Sequence, residues 1–515
     1  MAYSYEYPYT DVYRYNDDWA LNKLRETEAA VAAMNENLSR LYDEMEQDVK
    51  DYLDERLPHI VHPYVLVDDF AAWGDGEHDD TMPIRNAISY AKRNNKYVMF
   101  TPGKTYLVND VVNKIAIRIP SNMRLVGNGA TIKAGTYCSY AFVMTNDSNG
   151  STGGYNANSN ITIEGLNFDS GGMVTTVLGF SHASNIVIDK CRFTNSTGWH
   201  FIELNAVSDA SVTRCKFTNC NGSEATEMVQ LDCASGSGGF PAFGPYDNTH
   251  SQNIRISDCM CANYTWPSGT NVSNSHIYGI GNHTNVLGHE PHQIIISNCC
   301  FENLAGAARF VCLAGCIFAN NTVNNCYLGF NGQGGGRLLN VNINNNIMFG
   351  HTTNVSDTTH GRGINLGNNT SAANTSPNQC IIANNTVLNF LDYGIAANGT
   401  RILISGNIIM NIIGRPGSSD NTIMGRGIAV GYANTDSVVT GNFIRGTNEG
   451  GLFLFNDEGG SNIKVMNNDI NTARLVSMST CYLLYNVIGA VVSGSLSNVK
   501  HAYNIVSGSP DVSNF

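Results

Sequence analysis

Three carboxylic acids, Glu203, Glu227 and Asp232, fall with Gln230, His283 and Arg309 in or beside short recurring segments that read FIELN, MVQLD, GIGNH and AARFV. Two carboxyl groups held close together, one protonated and one ionised, can cleave a glycosidic bond as acid and as base or nucleophile. Glu203 and Asp232 are the first pair to consider. Glu227, just ahead of the same segment as Asp232, could take either part. A neighbouring His283 would orient the acid, and Arg309 would stabilise charge or neutralise a carboxylate or phosphate on the substrate. The same His and Arg would also favour removal of a proton beside a uronate carboxylate, so hydrolysis and elimination both stay open. Trp199 and Trp266 are candidate platforms for stacking against a sugar ring.

These residues can act together only if something brings them together, and a repeat does so. From Ile161 onward a unit recurs: alternating β-branched residues, two polar residues, Cys or Asn, any residue, then a large apolar one. The Cys or Asn falls at Cys191, Cys215, Cys259, Cys299, Asn321, Asn346, Asn385, Asn407, Asn442 and Asn468. The short spacings fit one turn of a parallel β-helix, and the long ones fit turns carrying inserted loops. Stacked turns would pair every backbone N–H and C=O with the turns on either side. Asn at the bend can build a side-chain ladder, and Cys can fill the same slot as a small buried residue. The expected fold is an all-β, single-stranded, right-handed parallel β-helix. A second recurring strand then gives columns of side chains about 4.8 Å apart. Ile202, Val229, Ile280, Ala308, Ile364 and Ile428 would point inward. Glu203, Gln230, Gly281, Arg309, Asn365 and Ala429 would point outward, followed two residues on by Asn205, Asp232 and His283. The longest insertions, residues 233–252 and 263–292, flank the charged turns and would wall a groove. The other histidines, including His200 and His250, lie without metal-ligand spacing and read as solvated or hydrogen-bonded side chains; the reading assigns no metal and no cofactor.

Composition narrows the class of partner. Hydrophobic residues at 42% support a core, while charged residues at only 14% leave Asn, Gly, Ser and Thr to carry the polarity, which suits turn-dense β structure. A formal charge of −13 argues against nucleic acid and anionic membranes, both of which need a basic stripe. Nothing resembles a signal peptide or a membrane span, so synthesis in the cytoplasm is expected. The fourteen cysteines read as reduced, packed thiols. Between Asp17 and Leu57 there is no Gly or Pro, and Leu24, Val31, Leu38, Met45 and Tyr52 are spaced by sevens, with Met34 and Leu41 between them. Such a seam calls for another copy of itself, with a homotrimer as the preferred state. The expected organisation is a tyrosine-rich arm (1–16), a coiled-coil helix (17–60), a β-helix cap (61–135), the β-helix (136–473) and a closing segment (474–515).

The cap carries a resemblance. GDGEHDDT at 74–81, the helix after it with Ala87 and Ile88, and the PGKTY turn at 102–106 resemble the N-terminal capping segment of the pectate-lyase-like superfamily, which includes many phage tailspikes. Over roughly residues 65 to 310, the acid-xx-QLD strand, the FPAFGPYDNT loop, the GIGNHT turn and the AAR turn are similar to tailspike and preneck-appendage proteins of phages of Gram-positive hosts. That resemblance implies a trimeric virion spike, attached to tail, collar or baseplate proteins by its N-terminal arm, that binds and degrades a bacterial surface polysaccharide such as capsule or teichoic acid. Position by position it marks Glu227, Gln230, Asp232, Asp247, His283 and Arg309. Hydrolysis is the expected reaction; a non-catalytic receptor-binding fibre of the same fold and a polysaccharide lyase are the alternatives.

Overall fold

The computed structural model describes residues 11–56, 62–148, 150–222, 226–235, 243–264, 277–332, 336–351, 361–367, 377–414, 425–448, 450–455, 461–476, 480–493, 499–506 and 509–510. The chain divides into two compact units, residues 1–63 and 64–515.

The first unit is one helix, Asp11–Arg56. It begins earlier than expected: residues 11–16, read as part of an extended arm, are helical, because no Gly or Pro interrupts the chain after Pro8. The rest of the arm and Tyr52's side chain lie outside the described residues. Leu24, Val31, Met34, Leu38, Leu41 and Met45 are all exposed to solvent in the single chain.

The second unit opens with a short helix, Thr81–Arg93, whose Ile84, Ala87, Ile88 and Ala91 are buried. Pro83 sits in its first turn, where a missing N–H costs nothing. Asp80 precedes the helix without capping it: its carboxylate accepts from Trp73 N at 2.6 Å and Gly74 N at 3.0 Å, tying the Gly74–Gly76 turn to the helix instead.

Behind this cap the chain winds into a right-handed parallel β-helix. Each turn contributes three strands rather than the two read from the sequence. Ala183–Asp189, Arg192–Ser196 and Ile202–Asn205 make one turn, and each pairs in parallel with its counterpart in the next, Ser208–Thr213, Lys216–Cys220 and Thr226–Asp232. The interior is lined by aliphatic residues and phenylalanines. Phe168, Phe193 and Phe217 stack on successive turns with centroids 5.0 and 4.9 Å apart.

The bend after the first strand of each turn has one geometry throughout. Asn346 donates through Nδ2 to Phe318 O at 2.9 Å and to Asn385 Oδ1 at 2.9 Å, while its own Oδ1 accepts from Asn321 N and Nδ2. The same bonds continue through Asn385, Asn407, Asn442 and Asn468, and then through Asn486 and Asn504. The repeat therefore runs on past Asn468 to Asn504, inside the segment expected to close the β-helix, in turns of only 18 residues. In the Cys slots the thiols reach backbone carbonyls: Cys259 Sγ lies 3.5 Å from Val212 O and 3.3 Å from Ser257 O, and Cys299 Sγ 3.8 Å from Ile256 O and 3.3 Å from Ser297 O. All fourteen cysteines are free, Cys300 alone being more than marginally exposed.

A prediction follows for the ladder. Asn385 is 1% exposed and makes four side-chain bonds, donating to Ile343 O and Asn407 Oδ1 and accepting from Asn346 N and Nδ2. Asn385→Ala strands Asn346 N and Ile343 O in the interior, where each orphan costs about 1–3 kcal/mol. The substitution should lower stability by about 3 kcal/mol, seen as a drop in the unfolding midpoint in urea. An unchanged midpoint would show that the ladder contributes nothing net.

Candidate functional site

The site residues come from consecutive turns, and the pairing that aligns them is the one expected for the first four rungs. Glu203 pairs with Gln230, Gln230 with Gly281, and Gly281 with Arg309. Beyond Arg309 the expected column skipped two rungs. Asn331 pairs with Arg309 and Asn365 with Asn331, and Ala396 lies between Asn365 and Ala429. The segment LGFNG was passed over because it has no preceding insertion to mark it.

Glu227 lies at the start of strand Thr226–Asp232 with its side chain fully buried. Its Oε1 accepts from Arg309 Nη1 at 2.9 Å, and its Oε2 faces His283 Nδ1 at 3.2 Å. Burial pushes this carboxyl up, but the His283 hydrogen bond and the Arg309 charge more than offset it and hold Glu227 below its ordinary value. The hydrogen bond that His283 donates to Glu227 in turn raises His283 to about 9 against the effect of burial, with Asp232 adding to the rise. His283 is thus an imidazolium at neutral pH, with a side chain 44% exposed.

Asp232, 3% exposed, accepts from Thr284 N at 3.1 Å, from Thr284 Oγ1 at 2.8 Å and from Gln230 Nε2. Gln230 Nε2 also lies 3.2 Å from His283 Nε2, and His283 Nε2 lies 3.8 Å from Asp232 Oδ2. Glu203, half-buried one rung earlier, behaves oppositely: burial, reinforced by the Asp232 charge, raises it to about 7. Glu203 is thus the carboxyl whose surroundings hold a proton up to near-neutral pH.

Close packing explains the glycine between Gln230 and Arg309. A Cβ on Gly281 would stand 1.8 Å from Arg309 O and 3.1 Å from Glu227 Cγ. Only a bare backbone lets the Glu227 and Arg309 side chains meet across that rung.

The remaining expected residues divide. Trp199 sits in the left-handed region at φ 63°, packed edge-on against Tyr140 at 5.7 Å and near Phe142 at 6.4 Å. Tyr140 is 60% exposed, so these rings offer an aromatic surface just ahead of His200. Asp247 does not join the cluster: it holds two loops together, accepting from Gly154 N at 3.0 Å and Thr249 N at 2.9 Å. Its loop is seated by Phe243 against Phe142, centroids 4.8 Å apart, and by His182, whose two ring nitrogens reach Gly154 O and Pro245 O at 2.8 Å each. Trp266 lies outside the described residues.

Sequence reasoning missed His200, Thr284 and Tyr278. His200 Nδ1 lies 2.6 Å from the Glu227 carbonyl oxygen, and its ring centroid is 5.8 Å from that of His283. Its place immediately before FIELN was the available signal. Tyr278 pairs with Glu227 and lies under the Arg309 guanidinium at 5.3 Å, a cation–π contact that the second-strand alignment could have shown. Thr284 is the last residue of the GIGNHT turn, and that turn was its signal.

A family model described as rhamnogalacturonase A/epimerase, pectate lyase-like, matches residues 64–331, which include the cap and every residue of this cluster. The chain belongs to that family. Solved structures extend the likeness along the rest of the β-helix. A mutant tailspike protein of the E. coli bacteriophage HK620, in complex with a pentasaccharide, is 16% identical, with 89% of this chain and 79% of that one covered at a TM-score of 0.58. PfbA, a surface adhesin of Streptococcus pneumoniae, is 17% identical, with 88% and 96% covered at a TM-score of 0.50. At these identities the likeness is one of fold: the pectate lyase-like chain has the parallel β-helix seen in a phage tailspike and in an adhesin. No curated protein sequence matches it.

Proposed function

We propose that this chain is a phage tailspike or appendage that binds a bacterial surface polysaccharide and cleaves it by hydrolysis. One observation carries the reading: Glu203, raised to about 7, and Asp232, held by three donors, stand on adjacent rungs of one strand ladder. In this mechanism Glu203 gives its proton to the glycosidic oxygen of the leaving sugar. Asp232 activates water or attacks the sugar carbon, and the gap between the carboxyls once substrate is bound decides which. His283 keeps a positive charge beside Asp232, Arg309 fixes Glu227, and Glu227 holds both in place from the interior. Trp199 and Tyr140 supply a surface on which a sugar ring can stack.

The exposed apolar seam of helix Asp11–Arg56 supports assembly as a homotrimer, with the residues before it joining the virion. Among the described residues no helix is long and apolar enough to cross a membrane. The pentasaccharide bound by the HK620 tailspike and the surface location of PfbA agree with a glycan as ligand.

Digestion of a panel of purified capsular and cell-wall glycans, with mass analysis of the products, tests the reading. Fragments heavier by one water at each break support hydrolysis. Unsaturated ends would replace it with elimination, and bound but intact polymer would leave a receptor-binding fibre.

A further inference from the structure

Among the described residues, one group of three side chains places donor atoms within 4.8 Å of one another in the manner of metal ligands: His200, Glu227 and His283. We propose that these three residues bind a divalent transition-metal ion, of the zinc or manganese class, one per chain. The inference needs no substrate, and an ion there takes the place of the His283 Nδ1 proton and itself supplies the positive charge near Asp232.

The donor set comes first. Two imidazoles and one carboxylate suit the borderline divalent ions, which take ligands at about 2 Å and so bring donor atoms to roughly 3–3.5 Å of each other. His283 Nδ1 and Glu227 Oε2 already stand 3.2 Å apart. His200, from the neighbouring rung, completes the group with a donor atom within 4.8 Å of the other two.

The surroundings fix each ligand in a competent form. His200 Nδ1 faces a backbone carbonyl oxygen at 2.6 Å, which can only accept, so Nδ1 carries the proton and Nε2 is left with a lone pair. Glu227 spends Oε1 on Arg309, which leaves Oε2 for the ion. His283 has its far nitrogen, Nε2, beside Gln230 Nε2 at 3.2 Å and Asp232 Oδ2 at 3.8 Å. A carboxylate behind a ligating histidine orients its ring and strengthens it as a ligand. Asp232, whose Oδ2 lies 3.8 Å from His283 Nε2, adds a second carboxyl beside the site.

Binding is a simple exchange. The ion enters between His283 Nδ1 and Glu227 Oε2, and the proton shared there leaves to solvent. Three protein ligands leave room for a water or a hydroxyl of a bound ligand to complete the set.

The test uses the full chain, dialysed against chelator and titrated with Zn²⁺ by calorimetry and with Co²⁺ by visible absorption. The expected result is one ion per chain and a Co²⁺ spectrum of the intense, low-symmetry kind. Affinity should fall at least tenfold in both His283→Gln and His200→Gln, and the same ion should raise the melting temperature of the native chain but not of His283→Gln. His283→Gln changes a side chain 44% exposed and should fold; circular dichroism checks this for both variants. Absence of saturable binding by the native chain, or binding unchanged in a folded His283→Gln, would overturn the proposal.

Discussion

Glu203→Gln should reduce polysaccharide cleavage by about 10²–10⁴-fold, the usual contribution of a positioned general acid, while glycan binding and folding persist. The amide keeps the shape of the carboxyl and its contacts with Thr176 and Asn205 but has no proton to give. The pH profile supplies the sharper readout. Burial and the Asp232 charge raise Glu203 to about 7, so the acid form dominates below that pH and disappears above it. Cleavage by the native chain should therefore fall as pH rises through 7, and the residual activity of Glu203→Gln should lack that limb. The sign is the same for stability: a carboxyl whose folded value is raised favours the fold at low pH and loses that contribution as pH passes 7. A native profile flat across pH 7, or a variant cleaving at the native rate, would remove Glu203 from the acid's role.

Glu227→Ala should destabilise the β-helix by about 3–5 kcal/mol, the cost of breaking a buried ion pair from one side. The carboxylate is fully buried, and its loss leaves the Arg309 guanidinium, 15% exposed, and the inner nitrogen of His283 without their shared acceptor. Gln at 227 would recover part of the loss through its carbonyl oxygen. Because Glu227 and Arg309 touch, Glu227→Ala combined with Arg309→Ala should cost less than the sum of the two alone. Unfolding midpoints of the three variants measure this. Additive losses would mean that the two side chains stabilise the fold independently of each other.

How much of this was legible beforehand depended on periodicity. The slot residues Cys191 to Asn468 recur because each turn must bend at the same place, so the fold and the pairing of Glu203, Gln230, Gly281 and Arg309 could be read by alignment. The third strand of each turn could not, since Arg192–Ser196 and its equivalents follow the bend without a turn signal of their own. Side-chain reach was also hidden. Glu227 looked like a spare for Asp232, yet its contacts with Arg309 and His283 make it the buried centre of the cluster. Asp247 looked like a neighbour of the acids but spends its oxygens on backbone N–H groups of two loops. Those choices are made by rotamers and loop paths, on which a string of residue types is silent.

The asparagine ladder has an electrical consequence. From Asn321 to Asn486 each side-chain amide donates to the Oδ1 of the next asparagine in the ladder, so seven bonds join eight amides whose Oδ1 ends all face the N-terminal side. Aligned amides polarise one another, and each bond is stronger for the ones behind it. The column's negative end is the Oδ1 of Asn321, which takes the backbone N–H of Cys299 at 2.9 Å, on the turn that leads into Arg309. The far half of the molecule is thus a polar rod whose field begins where the site ends, and removing any one amide divides it into two weaker rods.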